Sequence, residues 1–438
     1  MPKLAVVSLG CAKNLVDTEI MLGQLVGEGW EVTRNFADAE LILVNTCGFI
    51  EEAKAESIRN ILEFAEYKKP DCGSCRKLVV AGCLVERYSQ ELAKELPEVD
   101  YWIGLGEIDR IAGLVQEKSS GPKVGGSPFL NDENLPRYQV TLSHTAYVKI
   151  AEGCNHRCAY CAIPNIKGGF RSRRPESVVR EISRLVENGV REINLIAQDI
   201  TMYGRDLPEK IDLKKLLEQI VSQAKPSWIR LLYAYPSGIS RDLLEFIAAE
   251  PRVCKYLDLP LQHINGRILK LMRRSDPPER IRELLTTIRT VVPELTLRTT
   301  LIVGFPTETD GEFEEMLDFV KEGHFQHLGV FAYSPEEDTP AYDYKPQIPE
   351  KVRTERKQRL LAAQQPISAR FLAELVGREL PILIDRVTPD GGAIGRTPSL
   401  APDVDGVVYL NQFHGKPGEI RSGLITASDA YNLYAKLD

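Results

Sequence analysis

Short apolar runs alternate with longer amphipathic ones over the first 114 residues: LAVVSL, TEIMLGQLVGEG, LILVNT, AESIRNILEFAEY and KLVVAG. A brief, almost wholly apolar run reads as a strand buried on both faces, and a longer run with 3.6-residue spacing reads as a helix. Their alternation predicts an open parallel α/β sheet with crossover helices, in a domain spanning residues 1–118. Residues 116–140 break the pattern with EKSSGPKVGGSPFLNDENLP, and a linker is expected there.

A second alternating run follows. AYVKIAE, EINLIAQ, WIRLLY, KYLDLP, LTLRTTLIVG and HLGVFAY read as strands, separated by helices such as PESVVREISRLVENG. Six strand–helix units in a row predict a partial (β/α)6 barrel over residues 140–368. Near its end EKVRTERKQRLLAAQQPISARFLAEL reads as a long charged helix that is interrupted near Pro366 and leaves the barrel. The remainder, residues 369–438, is rich in short strands and turns, the pattern of a small β-barrel or sandwich. The fold class expected is therefore α/β and multidomain.

Composition narrows the function. With 43% hydrophobic and 27% charged residues the chain is globular rather than disordered. No apolar stretch approaches the roughly 18 residues a membrane span needs. LAVVSLG is short and lacks a basic leader, so it is a strand rather than a signal peptide, and a cytoplasmic protein without membrane contact is expected. Nine cysteines in such a compartment point to metal or redox chemistry, because cytosolic thiols are kept reduced. A net charge of −7 argues against general affinity for nucleic acid.

Two cysteine constellations carry the candidate chemistry. Cys154, Cys158 and Cys161 form a C-x3-C-x2-C run just after the strand AYVKIAE. Three thiolates so placed can bind three irons of a cubane cluster and leave the fourth iron open to a substrate such as S-adenosylmethionine. The alternative is a zinc knuckle with His156 as fourth ligand. Cys11, Cys47 and Cys83 each follow a predicted parallel strand, so all three belong to the carboxyl edge of one sheet, where ligands of open α/β sheets sit. Their convergence implies a second metal cluster; the bland alternative is packing of small side chains at strand ends. Cys72 and Cys75 form a C-x2-C in a polar loop, half of a zinc site or a redox pair, and Cys254 reads as a core residue. Gln198, Asp199, Gln262 and His263 end barrel strands and face its mouth.

SLGCAKNLVDTE, NTCGFIEEAKAES, AGCLVERY and KIAEGCNHRCAYCAIPNIKGGFRSR together resemble the methylthiotransferase family of radical S-adenosylmethionine enzymes, over essentially the whole chain. The resemblance implies an N-terminal methylthiotransferase domain, a radical S-adenosylmethionine core and a C-terminal TRAM domain. It implies two 4Fe-4S clusters, an auxiliary one on Cys11, Cys47 and Cys83 and a radical-generating one on Cys154, Cys158 and Cys161. S-adenosylmethionine and an electron donor complete the implied set, and the family chemistry adds a methylthio group where a cofactor radical has removed hydrogen from an unactivated carbon. LIVGFPTET resembles the segment that approaches the cofactor's adenosine, which makes Gly304 and Glu308 candidate cofactor-binding residues; the family more often has Gly where Thr307 stands.

Two branches compete for the substrate. The wording SLGCAKNLVDTE and IAQDITMYG resembles the branch that modifies the β-carbon of an aspartate in ribosomal protein S-twelve of the small subunit. The tRNA-modifying branch would show Gln-Met-Asn after the first cysteine. Residues 377–438 carry six Lys or Arg and eight Asp or Glu, a balance near −2 that suits a basic protein better than tRNA. A non-catalytic reading, an iron–sulfur or zinc scaffold that docks on ribosomes, predicts no cleavage of S-adenosylmethionine.

Overall fold

A computed structural model describes residues 1–117 and 121–437. Lys118, where the N-terminal domain was expected to end, lies outside the described residues, as does Asp438. Strands β1 (Lys3–Ser8), β2 (Glu31–Val32), β3 (Leu41–Thr46), β4 (Lys77–Gly82) and β5 (Tyr101–Ile103) form a parallel sheet in the order β2-β1-β3-β4-β5. The three apolar runs are its centre. The two edge strands are only two and three residues long, too short to show a period in sequence. Helices α1 (Ala12–Gly27), α2 (Glu51–Ala65) and α3 (Cys83–Glu95) follow β1, β3 and β4.

In the middle of the chain β6 (Thr145–Lys149) runs into an antiparallel ribbon of β7 (Ala151–Glu152) and β8 (Arg171–Ser172). With β9 (Glu192–Ile196), β10 (Trp228–Leu231), β11 (Val253–Asp258), β12 (Thr296–Val303) and β13 (His327–Ala332), β6 makes a six-stranded parallel sheet in the order β13-β12-β11-β10-β9-β6. This is the expected partial barrel.

The helix Glu350–Ala373 departs from expectation, because it runs unbroken through Pro366 and stays on the barrel. Its buried Leu360 and Ile367 join the barrel's main apolar cluster. On either side of the proline, Gln364 donates to Phe325 O at 2.9 Å and Ser368 to Gln326 O at 2.7 Å. These tertiary bonds hold the helical path where the proline itself donates none. The predicted linker is also tied down: Arg137 pairs with Glu181 at 2.7 Å and donates to Tyr147 O at 2.7 Å.

The C-terminal strands β14 (Glu379–Val387), β15 (Ala393–Arg396), β16 (Val408–Leu410), β17 (Ile420–Ser428) and β18 (Leu433–Leu437) close into a barrel in the order β14-β15-β16-β18-β17. This small barrel caps the end of the large one where its strands begin. Arg396 pairs with Glu192 at 2.8 Å, Arg230 donates to Pro398 O at 2.7 Å, and Tyr256 to Asp405 at 2.7 Å. The N-terminal sheet sits at the opposite end, where the strands finish. One apolar cluster links all three units, from Val16 and Ile20 through Ile196 and Tyr256 to Leu383 and Ala401. Among the described residues no helix is long and apolar enough to cross a membrane.

Candidate functional site

Each of the three N-terminal cysteines stands where a parallel strand turns into its crossover helix. Cys11 caps α1 with no side-chain cap bond, Cys47 follows β3 and Cys83 opens α3. Two glycines make the approach possible. At Gly10, φ is +90° and a Cβ would lie 2.7 Å from Cys47 Cβ; at Gly82, φ is +101° and a Cβ would lie 2.3 Å from Asn45 Oδ1. Polar side chains fix the strand ends around them. Asn14 donates to Thr46 O at 3.0 Å, Asn45 to Asn14 O at 2.8 Å, and Ser57 both accepts from Cys47 N and donates to Cys47 O. Burial pushes the Cys47 thiol up to about 11 and the Cys83 thiol up to about 12, and a Cys11 thiolate raises both further. The three sulfurs thus share one electrostatic neighbourhood.

The second trio lies in the loop after β7. Cys154 N donates to Gly168 O at 3.0 Å, Cys161 N to Cys158 O at 3.1 Å, and Ala159 N to Met272 O at 2.9 Å, which pins the loop over the barrel mouth. Burial raises Cys154 to about 11 and Cys161 to about 12; a Cys158 thiolate adds to each and Arg274 opposes. Arg274 stacks on Tyr235 at 4.0 Å.

His156 turns elsewhere: its Nε2 is 2.7 Å from Asp199 Oδ2 and its ring stacks on Tyr235 at 4.0 Å. Among the described residues no three His, Cys, Asp or Glu side chains converge on a single-ion position. A zinc ion needs ligands roughly 2.0–2.3 Å from one point. A cubane cluster spreads its thiolates over several irons. Three soft thiols in each set, with no fourth thiol beside either among the described residues, are a donor set that would fit such a cluster with one iron left open.

The segments that carry the two sets of cysteines touch one another. The helix Ile163–Lys167, just after Cys161, places Lys167 Nζ 3.3 Å from Asp17 of α1, within electrostatic reach of Cys83 and Cys11. Lys149 at the end of β6 also pairs with Asp17, and with Glu152 at 2.8 Å; Gln198 donates to Glu152 at 2.7 Å. The four charged groups are nearly inaccessible to solvent, and the neutral Gln198 is half-buried. Sequence reading missed this network. The polar residues inside the Cys11 motif, AKNLVDTE, were the available sign.

Other predicted positions divide. Gly304, at φ +68°, follows β12, and its N–H donates to Glu308 at 3.0 Å. Glu308 is buried and its carboxylate is taken up by this bond and by Arg356 at 2.5 Å, so it shapes the strand end rather than offering an open contact. His263 is fully buried, with Nδ1 accepting from Asn265 N at 2.9 Å, and Gln262 has φ +73°. Inside the barrel, both amide atoms of Asn194 and Oε1 of Gln198 have no hydrogen-bond partner among the described residues, which suits a polar cofactor at this end. Cys254 packs in the core as expected. Cys72 and Cys75 sit ahead of β4, at the opposite end of that strand from Cys83, with Cys72 exposed and Cys75 buried.

Packing sorts the acidic residues of the C-terminal domain into internal and exposed ones. Asp385 and Asp405 are buried against the large barrel, Asp385 facing His144 and Arg396, and Asp403 accepts from Tyr147. Asp385 and Asp405 therefore face inward together with Arg396, while Glu379, Asp390, Asp403 and Asp429 stay exposed and leave the surface of this domain acidic.

Three family descriptions match the chain: Uncharacterized protein family UPF0004 over residues 3–104, Radical SAM superfamily over 148–320 and TRAM domain over 376–437. Ribosomal protein uS12 methylthiotransferase RimO of Geobacter sulfurreducens is 47% identical over 441 aligned residues, covering 99% of this chain and 98% of that protein. This chain belongs to the RimO family. RimO of Syntrophotalea carbinolica is likewise 47% identical, with 99% of this chain and 96% of that one covered. Among solved structures, the radical S-adenosylmethionine methyltransferase TsrM from Kitasatospora setae superposes with a TM-score of 0.55 at 16% identity, covering 78% of this chain and 74% of that one. At that identity the likeness establishes the fold of a RimO-family chain and nothing finer.

Proposed function

We propose that this chain transfers a methylthio group to the β-carbon of an aspartate in ribosomal protein uS12, in the cytoplasm. The observation that carries the reading is full-length similarity to RimO proteins, and it is supported by the electrostatic proximity of Cys83 to Cys11 and Cys47 and of Cys161 to Cys154 and Cys158. Cys11, Cys47 and Cys83 hold one 4Fe-4S cluster, and Cys154, Cys158 and Cys161 the other. Bound there, the clusters and S-adenosylmethionine, fed by an external electron donor, supply the one-electron and sulfur chemistry that no side chain performs.

The protein's own residues prepare the space. Arg274 and Lys167 place positive charge beside each thiolate trio and offset its burial. Asn194 and Gln198 present unpaired amide atoms toward the cofactor, while Gly304, held by Glu308, shapes the mouth. Asp17, Lys149 and Lys167 lock the N-terminal sheet over the barrel and exclude water from the gap.

The test is anaerobic incubation of the reconstituted protein with S-adenosylmethionine, a reductant and either uS12 or tRNA, followed by mass spectrometry. A methylthio group on uS12 supports the reading. A mark on tRNA alone refutes it.

A further inference from the structure

The chain buries three lysines between its two thiol trios, and two of them are fully committed. Lys149 and Lys167 pair with Asp17 and Glu152. The third, Lys13, is different. It is only 9% exposed, two residues beyond Cys11 in the first turn of α1, and among the described residues its ammonium has no ion-pair partner. Its contacts are a long 3.5 Å bond to Ala197 O, at the end of β9, and the face of Tyr233, whose centroid lies 3.3 Å away.

Despite its burial the ammonium stays charged, because Cys11, Glu152 and Asp258 act on it from beyond pairing distance. Among the described residues its charge is thus supported, but no carboxylate accepts a hydrogen bond from it. The surroundings favour an anion as its partner. The first turn of α1 contains no acidic residue, and its capping residue makes no side-chain bond to the free N–H groups there. Tyr233 itself sits at φ +66°, a left-handed conformation that a tyrosine adopts only when its surroundings impose it, and such residues cluster at ligand sites.

Position completes the argument. A target carbon that is attacked from one trio and receives sulfur at the other must lie between them. Lys13 lies at the end of the barrel, bonded to Ala197 O, two residues along the chain from Cys11 and within its electrostatic reach.

We infer that Lys13 is the substrate-binding residue that holds the carboxylate of the target aspartate, aligning its β-carbon between the two thiol trios. This rests on the uS12 reading proposed above. Lys13 donates to the carboxylate in a charge-assisted bond, stronger in a dry site than any to a neutral amide. Tyr233 backs the ammonium from below. Selectivity for an acidic side chain follows.

The experiment compares uS12 with its target Asp→Asn version as ligands of the reconstituted full-length enzyme, by titration calorimetry and by methylthio yield. Wild type is expected to bind the aspartate form at least about tenfold tighter, the scale of one charge-assisted hydrogen bond in a desolvated site. Lys13→Met, an uncharged side chain of similar length, is expected to bind both forms within about twofold of each other, and Lys13→Arg to restore part of the preference. Iron content per chain verifies that each variant holds its clusters. A wild type that binds both forms equally overturns the assignment without recourse to any variant, as does a Lys13→Met protein that keeps its preference. A role confined to balancing thiolate charge gives that last result. If tRNA rather than uS12 is modified, the functional reading fails first and this inference falls with it.

Discussion

Lys167, six residues after Cys161, lies 3.3 Å from Asp17, six residues after Cys11. The helix that follows Cys161 therefore meets the helix that follows Cys11, with Lys149 completing the group from β6. The pairing couples the distance between the two trios to one buried carboxylate. Asp17→Asn leaves two buried ammonium groups with less than their full charge complement, and removal of one partner from a buried pair costs about 3–5 kcal/mol. Urea unfolding at neutral pH is expected to show a loss of that order, and an unchanged midpoint would refute the locking role.

Metal content separates the cysteines by role. The intact protein, reconstituted anaerobically, is expected to bind about eight iron and eight sulfide per chain. Cys47→Ala and Cys158→Ala each reduce this to about four, whereas Cys254→Ala leaves it near eight. Cys158→Ala also abolishes 5′-deoxyadenosine on chromatography, while Cys47→Ala still forms it and loses sulfur insertion. Methylthiolated product from Cys47→Ala would eliminate the auxiliary site.

Thr307 is strained. Its φ of +70° places a β-branched residue in the left-handed region, which favours glycine. Arg267 partly compensates, donating to Thr307 Oγ1 at 3.0 Å and to its carbonyl at 2.8 Å. The first of these bonds is exposed and worth less than the strain, which is roughly 1–3 kcal/mol. Thr307→Gly is expected to raise the melting temperature in differential scanning calorimetry; a lower value would show that the Arg267 bond dominates.

Glu312 links that loop to acid stability. The Arg267 guanidinium holds its carboxyl down at about 2, helped by bonds from Thr309 at the start of the helix Asp310–Lys321. Because the folded value lies below the ordinary 4.5, the stabilisation is complete above that pH and is lost as pH falls toward 2. Glu312→Gln should be less stable than wild type at pH 7, and the difference should shrink below pH 4.5 in denaturation series. A gap that stays constant with pH would mean the carboxylate charge is not responsible.

Periodicity and motif spacing determined the three-part architecture, the central strands and the placement of three cysteines at strand ends and three in one loop. Apolar runs such as LILVNT are buried on both faces, so their residues alone dictate a strand, and a cysteine at each strand end follows from chain order. The short strands β2 and β5 exist only because longer neighbours offer them backbone partners, and no local pattern announces them. Pro366 misled because its local preference is to break a helix, whereas Gln364 and Ser368 hold it to the barrel by bonds to residues about forty positions away. Charge was legible only as a total: composition counts Asp385 and Asp405 with the exposed acids, and only packing shows that these two face inward. The tertiary structure alone decided that Asp17, Lys149 and Lys167 would meet in the gap and that Lys13 would be left there unpaired, since a buried charge is defined by what folds around it, from segments far apart in the chain.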